Sequence, residues 1–109
     1  MVSTRTGGKI QAVIFRCKEK PEVLILHYRP EHGSFWQTVS GNVELNEDLL
    51  DSLIREVKEE TGLGKECIIN VYPDIYSFDF HAHDMDFHET VFAVMVRPDC
   101  NVDISRNVD

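Results

Sequence analysis

Three glutamates, Glu56, Glu59 and Glu60, stand three and four positions apart in the segment Arg55-Glu56-Val57-Lys58-Glu59-Glu60. On a helix they would be neighbours, and like charges at this spacing repel one another. They would also lie near the helix C-terminus, where the dipole disfavours further negative charge. A bound Mg²⁺ explains this arrangement, because it prefers oxygen ligands and keeps coordination positions for water and substrate phosphates. From the residues alone, a metal site and a solvated acidic face remain equally open.

The negative net charge of the chain limits the classes of ligand that it could bind. Its 109 residues fit one domain, and its net charge of −8 argues against non-specific binding of nucleic acid through a basic surface. A phosphorylated small molecule is still a reasonable ligand. It would need divalent cations to bridge the two sets of negative charge.

The helix that presents the glutamates is predicted over Glu47–Thr61. Asn46 is the predicted N-cap, and Gly62 is the predicted stop signal. The apolar residues that recur at helical spacing and predict the buried stripe are Leu49, Leu50, Leu53, Ile54 and Val57.

The other segments have the composition of strands and turns. The predicted strands are Ile10–Arg16, Glu22–Tyr28, Phe35–Ser40, Ile68–Phe80 and Phe87–Val96. A loop is expected over Arg29–Ser34, and a polar loop around His83–Asp86. A strand-rich α+β or mixed α/β domain follows. Residues 1–7 are expected to form a flexible N-terminus and residues 99–109 a polar tail.

The three cysteines, Cys17, Cys67 and Cys100, form no CxxC pair, so we expect reduced structural thiols and no zinc knuckle. No apolar run is long enough to span a bilayer, and the first residues lack the features of a signal peptide. A cytoplasmic location is the default expectation.

A specific motif surrounds the glutamates. The run Gly41-x5-Glu47-x7-Arg55-Glu56-Val57-x-Glu59-Glu60-x-Gly62-Leu63 resembles the complete Nudix box of the MutT-type hydrolases. The resemblance, which extends over residues 8 to 100, implies a single domain over 1–109 with an α/β/α sandwich around a mixed β-sheet. Relatives usually add a C-terminal strand and helix, and this part looks truncated here.

The resemblance also implies roles for the residues of the box. Glu56, Glu59 and Glu60 would bind Mg²⁺, with Mn²⁺ as a second candidate. A backbone carbonyl at Ser40-Gly41 would complete the site. The activity implied is hydrolysis of a pyrophosphate bond in a nucleoside diphosphate linked to another group.

Other box residues would position or activate these groups. Glu47 and Arg55 would form the salt bridge that fixes the loop on the helix. Glu59 is the first choice as general base, although in this family the base can come from a later loop. Glu89 is expected as a further metal ligand or base. The segment His81–Glu89 could hold a separate transition metal, or be a polar loop at the rim of the site.

The substrate is narrowed by Phe35–Glu44, which is similar to the dihydroneopterin triphosphate pyrophosphatase branch. A (deoxy)nucleoside triphosphate or dihydroneopterin triphosphate is therefore preferred, bound as a small molecule, with neither membrane nor large nucleic acid as partner. Trp36 could stack on a base or belong to the core. Arg29 could pair with a phosphate or form a surface salt bridge.

Other activities stay open. A catalytically silent nucleotide sensor, a diadenosine polyphosphate hydrolase and an ADP-sugar hydrolase are the alternatives. A homodimer is a further expectation, since dimers are common among relatives.

Overall fold

The computed structural model describes residues 6–28 and 35–103. It contains a mixed β-sheet in which the long strand β1 is an inner strand. The elements are β1 (Thr6–Cys17), β2 (Pro21–Val23), β3 (Leu26–Tyr28), β4 (Phe35–Gln37), β5 (Val39–Asn42), α1 (Leu49–Thr61), a 3-10 turn (Lys65–Cys67), β6 (Ile68–Ala82) and β7 (Met85–Val96). The main sheet has the order β2-β1-β7-β6, and β5 also pairs with β1. Among the described strands, only β1 and β7 pair in parallel, while β3 and β4 form a separate antiparallel pair.

The hydrophobic core lies between α1 and one face of this sheet, which we call the helix face. Alternate residues of β1 point there, because successive side chains of a strand face opposite ways. Ile10, Ala12 and Ile14 are buried against Leu53 and Val57 of α1. The remaining residues of the core cluster are Leu26, Val39, Leu63, Phe92, Val94 and Val96. The mixed sheet and the α+β class agree with the prediction. Among the described residues, α1 is the single α-helix.

The start of α1 differs from the prediction. Asp48 is the N-cap, and its carboxylate accepts a hydrogen bond from the Asp51 N–H at 2.8 Å. The predicted cap Asn46 instead has a φ of 64°, in the left-handed region, so it lies in the preceding turn. Gly62 ends the helix as predicted, with a φ of 78° and its N–H bonded to the Lys58 carbonyl.

The predicted apolar stripe of α1 is wrong at its N-terminal end. Leu49 and Leu50 are 42% and 48% exposed, because they line an open cavity with Thr90 and Phe92 of β7 instead of packing closely on the sheet. The residues of α1 that are buried are Ser52, Leu53, Glu56, Val57 and Thr61.

The predicted strand Glu22–Tyr28 is also wrong as a single element. The Leu24 N–H donates to the Ile14 carbonyl at 2.8 Å, and beyond this point the chain leaves β1. Leu26 then becomes part of the core cluster, while Ile25 is exposed. The segment is therefore divided between β2 in the main sheet and β3 in the small one.

The loop predicted around His83–Asp86 is shorter than expected. Strands β6 and β7 continue to Ala82 and from Met85, so that only His83 and Asp84 form the turn. Both have positive φ values, 54° and 60°, as a two-residue type I′ hairpin turn requires.

The expectation of three reduced thiols is wrong for two of them. Cys67 and Cys100 form a disulfide, with Cα atoms 6.1 Å apart, whereas Cys17 is free and exposed. The 3-10 turn brings them together, because the Arg97 N–H donates to the Cys67 carbonyl at 2.8 Å. That contact depends on tertiary structure, which cysteine spacing does not reveal.

Both ends of the chain were expected to lack regular structure. Thr6 and Gly7, however, already belong to β1, whereas residues 99–103 contain no helix or strand. Residues 1–5 and 104–109, and the predicted loop Arg29–Ser34, lie outside the described residues. None of the helical segments that can be described has the length and apolar character needed to cross a bilayer.

Candidate active site

Arg55 joins α1 to the loop that precedes it. Its Nε and Nη2 donate to the two carboxylate oxygens of Glu47 at 2.8 and 3.0 Å. Nη2 also donates to the Asn42 carbonyl at the end of β5, at 2.9 Å. The predicted pairing of Glu47 with Arg55 is therefore present. Arg55 also contacts the backbone of β5, which the sequence spacing did not indicate. The bonds to Glu47 raise the pKa of Arg55 against the opposing effect of burial, so the guanidinium is a fixed positive charge.

Glu56 is the glutamate of the box that lies deepest. It is only 9% exposed, and a Cβ placed on Gly41 would overlap its carboxyl group. The absence of a side chain at Gly41 thus allows this carboxylate to lie against the backbone of β5. Arg55 Nη1 donates to Glu56 Oε1 at 2.5 Å. Burial raises the pKa of Glu56 and the Arg55 charge opposes that rise.

Glu59 and Glu60 follow Glu56 on the same side of α1. The Glu59 side chain is 59% exposed and lies at the edge of the Arg55 interactions, 3.5 Å from Nη1. Glu60 is half-buried. The predicted metal ligands are therefore brought to one side of the helix, with different degrees of burial.

The box glutamates have the donor chemistry that a hard divalent cation requires. Three carboxylates beside a backbone carbonyl are of the right chemical type for Mg²⁺. Among the described residues, however, no three histidine, cysteine, aspartate or glutamate side chains are gathered so that they could hold an ion as they stand. Arg55 occupies one oxygen of Glu56, and Glu59 extends into solvent. Shared coordination of one ion would require these side chains to rotate.

The residues predicted to contact the substrate differ in where the structure places them. Trp36 is 66% exposed and stacks on His27, with ring centroids 4.2 Å apart, so its assignment to the core is wrong. Its role in stacking on a base stays a prediction. Ser40 lies beside Gly41 on β5, where its hydroxyl accepts a hydrogen bond from Gln37 Nε2 at 3.3 Å. Arg29 lies outside the described residues.

Glu89 is not on the same face of the sheet as the helix glutamates. It pairs with Lys9, whereas Thr90 pairs with Ile10, which points into the core under α1. Because strand residues alternate, Glu89 points to the sheet face opposite α1. It is 9% exposed, and burial raises its pKa while Lys9 lowers it.

The histidines of the β6–β7 hairpin form separate pairs. His81 Nδ1 lies 2.8 Å from Asp86, and His88 Nδ1 lies 2.7 Å from Asp79. Both pairs join directly opposite residues on the two strands. His83 belongs to the turn, so most of the segment His81–Glu89, predicted as a polar loop or a metal site, is paired strand that carries histidine–aspartate pairs.

The sequence profile of the NUDIX domain matches residues 8–107. This match covers the Gly41 strand, the Glu47–Arg55 bond and the glutamates of α1. The chain belongs to the Nudix hydrolase family.

Curated relatives resemble the Nudix chain over part of their length. An octanoyltransferase of Myxococcus xanthus is 33% identical over 87 residues, which are 80% of this chain and 24% of that protein. An RNA pyrophosphohydrolase of Campylobacter jejuni is 33% identical over 66 residues, 61% of this chain and 39% of its own length. The chain therefore spans about a quarter to two fifths of these relatives.

Solved structures share the Nudix fold. An Ap4A hydrolase complex of C. elegans superposes with a TM-score of 0.74 at 21% identity, covering 94% of this chain and 75% of that one. The dihydroneopterin triphosphate pyrophosphohydrolase of E. coli gives a TM-score of 0.73 at 22% identity, covering 94% and 76%. At these identities the likeness establishes the fold.

Proposed function

We propose that this Nudix chain hydrolyses a pyrophosphate bond in a nucleoside diphosphate linked to another group, with Mg²⁺ held by Glu56, Glu59 and Glu60. The observation that carries the proposal is the position of Glu56. Its carboxylate is buried against the backbone of Gly41 and is bonded to Arg55, which is itself fixed by Glu47. A carboxylate is costly to bury, so its retention there favours a role in binding cations.

The residues would divide the chemistry among themselves. When bound, the metal ions neutralise charge on the phosphates and lower the pKa of an attacking water. Glu59 is the proposed base, because its side chain is 59% exposed, against 11% for Glu56, so its carboxylate is accessible to water. Arg55 and Glu47 act as positioning residues that hold Glu56 next to β5. Mn²⁺ would suit the same oxygen donors.

A triphosphate is the proposed substrate, either of a (deoxy)nucleoside or of dihydroneopterin. The resemblance of Phe35–Glu44 to the pterin branch supports it, as does the RNA pyrophosphohydrolase among the relatives, whose name describes cleavage of a pyrophosphate. Trp36 stays a proposed stacking surface because its ring is exposed. The substrate would be a small molecule, and the homodimer and the cytoplasmic location also remain proposals.

One observation favours the alternative of a catalytically silent nucleotide sensor. Arg55 Nη1 donates to one of the two carboxylate oxygens of Glu56, which leaves one fewer acceptor for a metal ion. In that case the site would bind a polyphosphate without turnover.

The test is Mg²⁺-dependent release of pyrophosphate or phosphate from a panel of nucleoside triphosphates and dihydroneopterin triphosphate, read by mass spectrometry. We expect Glu60→Gln to lower turnover by at least about a hundredfold, since loss of an outer partner of a metal site alone costs about 10- to 100-fold. Glu66→Gln, an exposed glutamate in the 3-10 turn, is the matched control and should turn over normally.

Two results would contradict the proposal. Undiminished turnover by Glu60→Gln would remove the helix glutamates from the mechanism. Absence of turnover by the unaltered protein on every substrate, together with measurable nucleotide binding, would establish the sensor instead.

A further inference from the structure

A disulfide joins the turn after α1 to the segment that follows β7. Cys67 is the last residue of the 3-10 turn, and its partner Cys100 lies 33 positions further along the chain. Cys100 belongs to residues 97–103, which contain no helix or strand and which we call the strap. The Arg97 N–H donates to the Cys67 carbonyl at 2.8 Å, so the strap begins beside the same turn. The disulfide is the covalent link between the middle of the strap and this turn.

The strap lies against the last turn of α1. The Asp103 N–H donates to the Thr61 carbonyl at 2.7 Å, which supplies a partner for one of the carbonyls that a helix leaves unpaired at its C-terminus. Gly62 permits this approach, because a Cβ there would lie 2.9 Å from the Asp103 carbonyl oxygen. Glu59 and Glu60 immediately precede Thr61. The strap therefore supports the turn of the helix that presents these two carboxylates.

The disulfide is open to reagents in solution. Cys67 and Cys100 are both half-buried, and Cys100 lines an open cavity of about 680 Å³ together with Leu63 and Val96. Exposed disulfides exchange with thiols more readily than shielded ones, and they are the labile and regulatory class. A link that restrains the end of α1 and is also accessible is suited to reversible reduction.

We propose that the Cys67–Cys100 disulfide is a redox switch for the metal site. In the oxidised protein the strap holds the last turn of α1. Reduction by a dithiol frees the strap, loosens that turn and weakens the binding of divalent cations by Glu59 and Glu60. This inference rests on the proposed function, because it regulates the helix glutamates that the function assigns to the metal.

The exchange reaction transfers two electrons from the dithiol to the protein. One thiolate of the dithiol attacks the sulfur of Cys100, the cysteine that lines the cavity, and forms a mixed disulfide. The Cys67–Cys100 bond breaks, and its electron pair leaves with the Cys67 sulfur, which takes up a proton. The second thiolate of the dithiol then displaces the Cys100 sulfur, which is protonated in turn. The products are two protein thiols and the oxidised dithiol, so the reaction reverses in an oxidising buffer.

Loss of the cross-link acts on the helix through chain entropy. Without it, the strap is fixed at Arg97 beside the Cys67 carbonyl, and the bond from Asp103 to Thr61 has to order the residues between. The conformational entropy lost in ordering several residues exceeds the net gain from one hydrogen bond, so the strap opens. The Thr61 carbonyl then loses its partner, and the last turn of α1 frays.

Two measurements on the unaltered protein test the switch without turnover. Mn²⁺ binding is followed by electron paramagnetic resonance, and amide hydrogen exchange by mass spectrometry, before and after treatment with dithiothreitol. We expect reduction to weaken Mn²⁺ binding about tenfold, as loss of an outer support of a metal site does, and to speed exchange in the strap and the last turn of α1. The thiols that react with a maleimide should increase from Cys17 alone to all three cysteines. Reoxidation should restore the original values, and circular dichroism should show that the reduced protein is folded.

Three variants separate the switch from other effects of the reductant. Cys67→Ala combined with Cys100→Ala should bind Mn²⁺ about tenfold more weakly in either buffer, whereas Cys17→Ser should respond to dithiothreitol as the unaltered protein does. Asp103→Pro keeps both cysteines but removes the N–H that donates to Thr61, so it should show the weaker affinity even when oxidised. If the double cysteine variant does not fold, Asp103→Pro and the unaltered protein still decide between the outcomes.

Behaviour that does not depend on the redox state would overturn the proposal. Equal Mn²⁺ affinity of the oxidised and reduced protein would do so, as would an oxidised Asp103→Pro protein that binds Mn²⁺ as tightly as the unaltered one. Absence of turnover on every substrate, with Mn²⁺ affinity still dependent on the redox state, would contradict the proposed function and support the switch. Failure of both redox forms to bind Mn²⁺ would contradict both proposals.

Discussion

Glu47 accepts hydrogen bonds from three groups around its carboxylate. Arg55 donates to both oxygens, the Ser52 hydroxyl donates to Oε1 at 2.5 Å, and the Glu44 N–H donates to the same oxygen at 3.0 Å. The bonds from Arg55 and then from Ser52 lower the pKa of Glu47 from its usual 4.5 to about 2. Because the folded protein holds this carboxylate ionised, the bonds stabilise the fold wherever Glu47 is charged.

A pH dependence of unfolding follows from this shift. The contribution of Glu47 is complete above pH 4.5 and is lost as the pH falls from 4.5 through about 2. We expect Glu47→Gln to be less stable at pH 7 and to show a smaller decrease over that interval, measured by urea unfolding at a series of pH values. Glu22→Gln removes an exposed pair with Arg16 and is the control, for which little change is expected. An unchanged pH profile in Glu47→Gln would contradict the assignment.

The ionisation of Glu56 has the opposite effect on the stability of the fold. Burial raises its pKa, so its ionisation at neutral pH opposes folding. Two neighbouring carboxylates bonded to the same arginine therefore have opposite effects on stability. The difference is that Glu47 has three donors around it, whereas Glu56 has one within the described contacts.

At the N-terminus of α1, substitutions of Asp48 and Asn46 are expected to have different effects on stability. Asp48→Ala should destabilise the protein by about 1 kcal/mol, because it leaves the Asp51 N–H without its acceptor. Asn46→Gly should be nearly neutral, because glycine adopts the positive φ of this position easily. Denaturant unfolding of both variants measures the effect. A larger loss for Asn46→Gly than for Asp48→Ala would restore Asn46 as the cap.

The sequence predicted features that depend on short separations along the chain. The end of α1 at Gly62 and the pairing of Glu47 with Arg55 follow from local spacing, and both are present. Which helix residues are buried depends on how closely the sheet packs against them, and Leu49 and Leu50, predicted as buried, line an open cavity above the sheet. The face on which Glu89 lies is set by the register of β1 with β7, which the sequence of β7 alone does not contain.

At the scale of the whole molecule, the disulfide between Cys67 and Cys100 ties the turn after α1 to the segment that follows β7. The Asp103 N–H donates to the Thr61 carbonyl at 2.7 Å, so this segment also lies against the end of α1. A disulfide of this kind is unusual in a reducing compartment. The disulfide therefore argues against the proposed cytoplasmic location.

Reduction of this disulfide should destabilise the protein. For a sequence separation of 33, loop closure predicts a loss of about 3.7 kcal/mol. Thermal unfolding with and without a phosphine reductant should show a lower Tm after reduction, and intact mass should rise by the two hydrogens of the thiols. Cys17→Ser should keep this response, whereas Cys67→Ser should lose it. Identical melting with and without reductant would mean that the thiols are not joined.

Strand β6 is an edge strand of the main sheet within the described residues, and its length bears on the solubility of the protein. It spans Ile68–Ala82 and exposes Ile69, Tyr72, Ile75 and Tyr76. Such an edge is a template for aggregation. Pro73 removes one amide donor, and the register shift between Tyr72 and Tyr76 breaks the straight run into two shorter pieces. The net charge of −8 adds mutual repulsion, which opposes edge-to-edge association of β6 with a second copy.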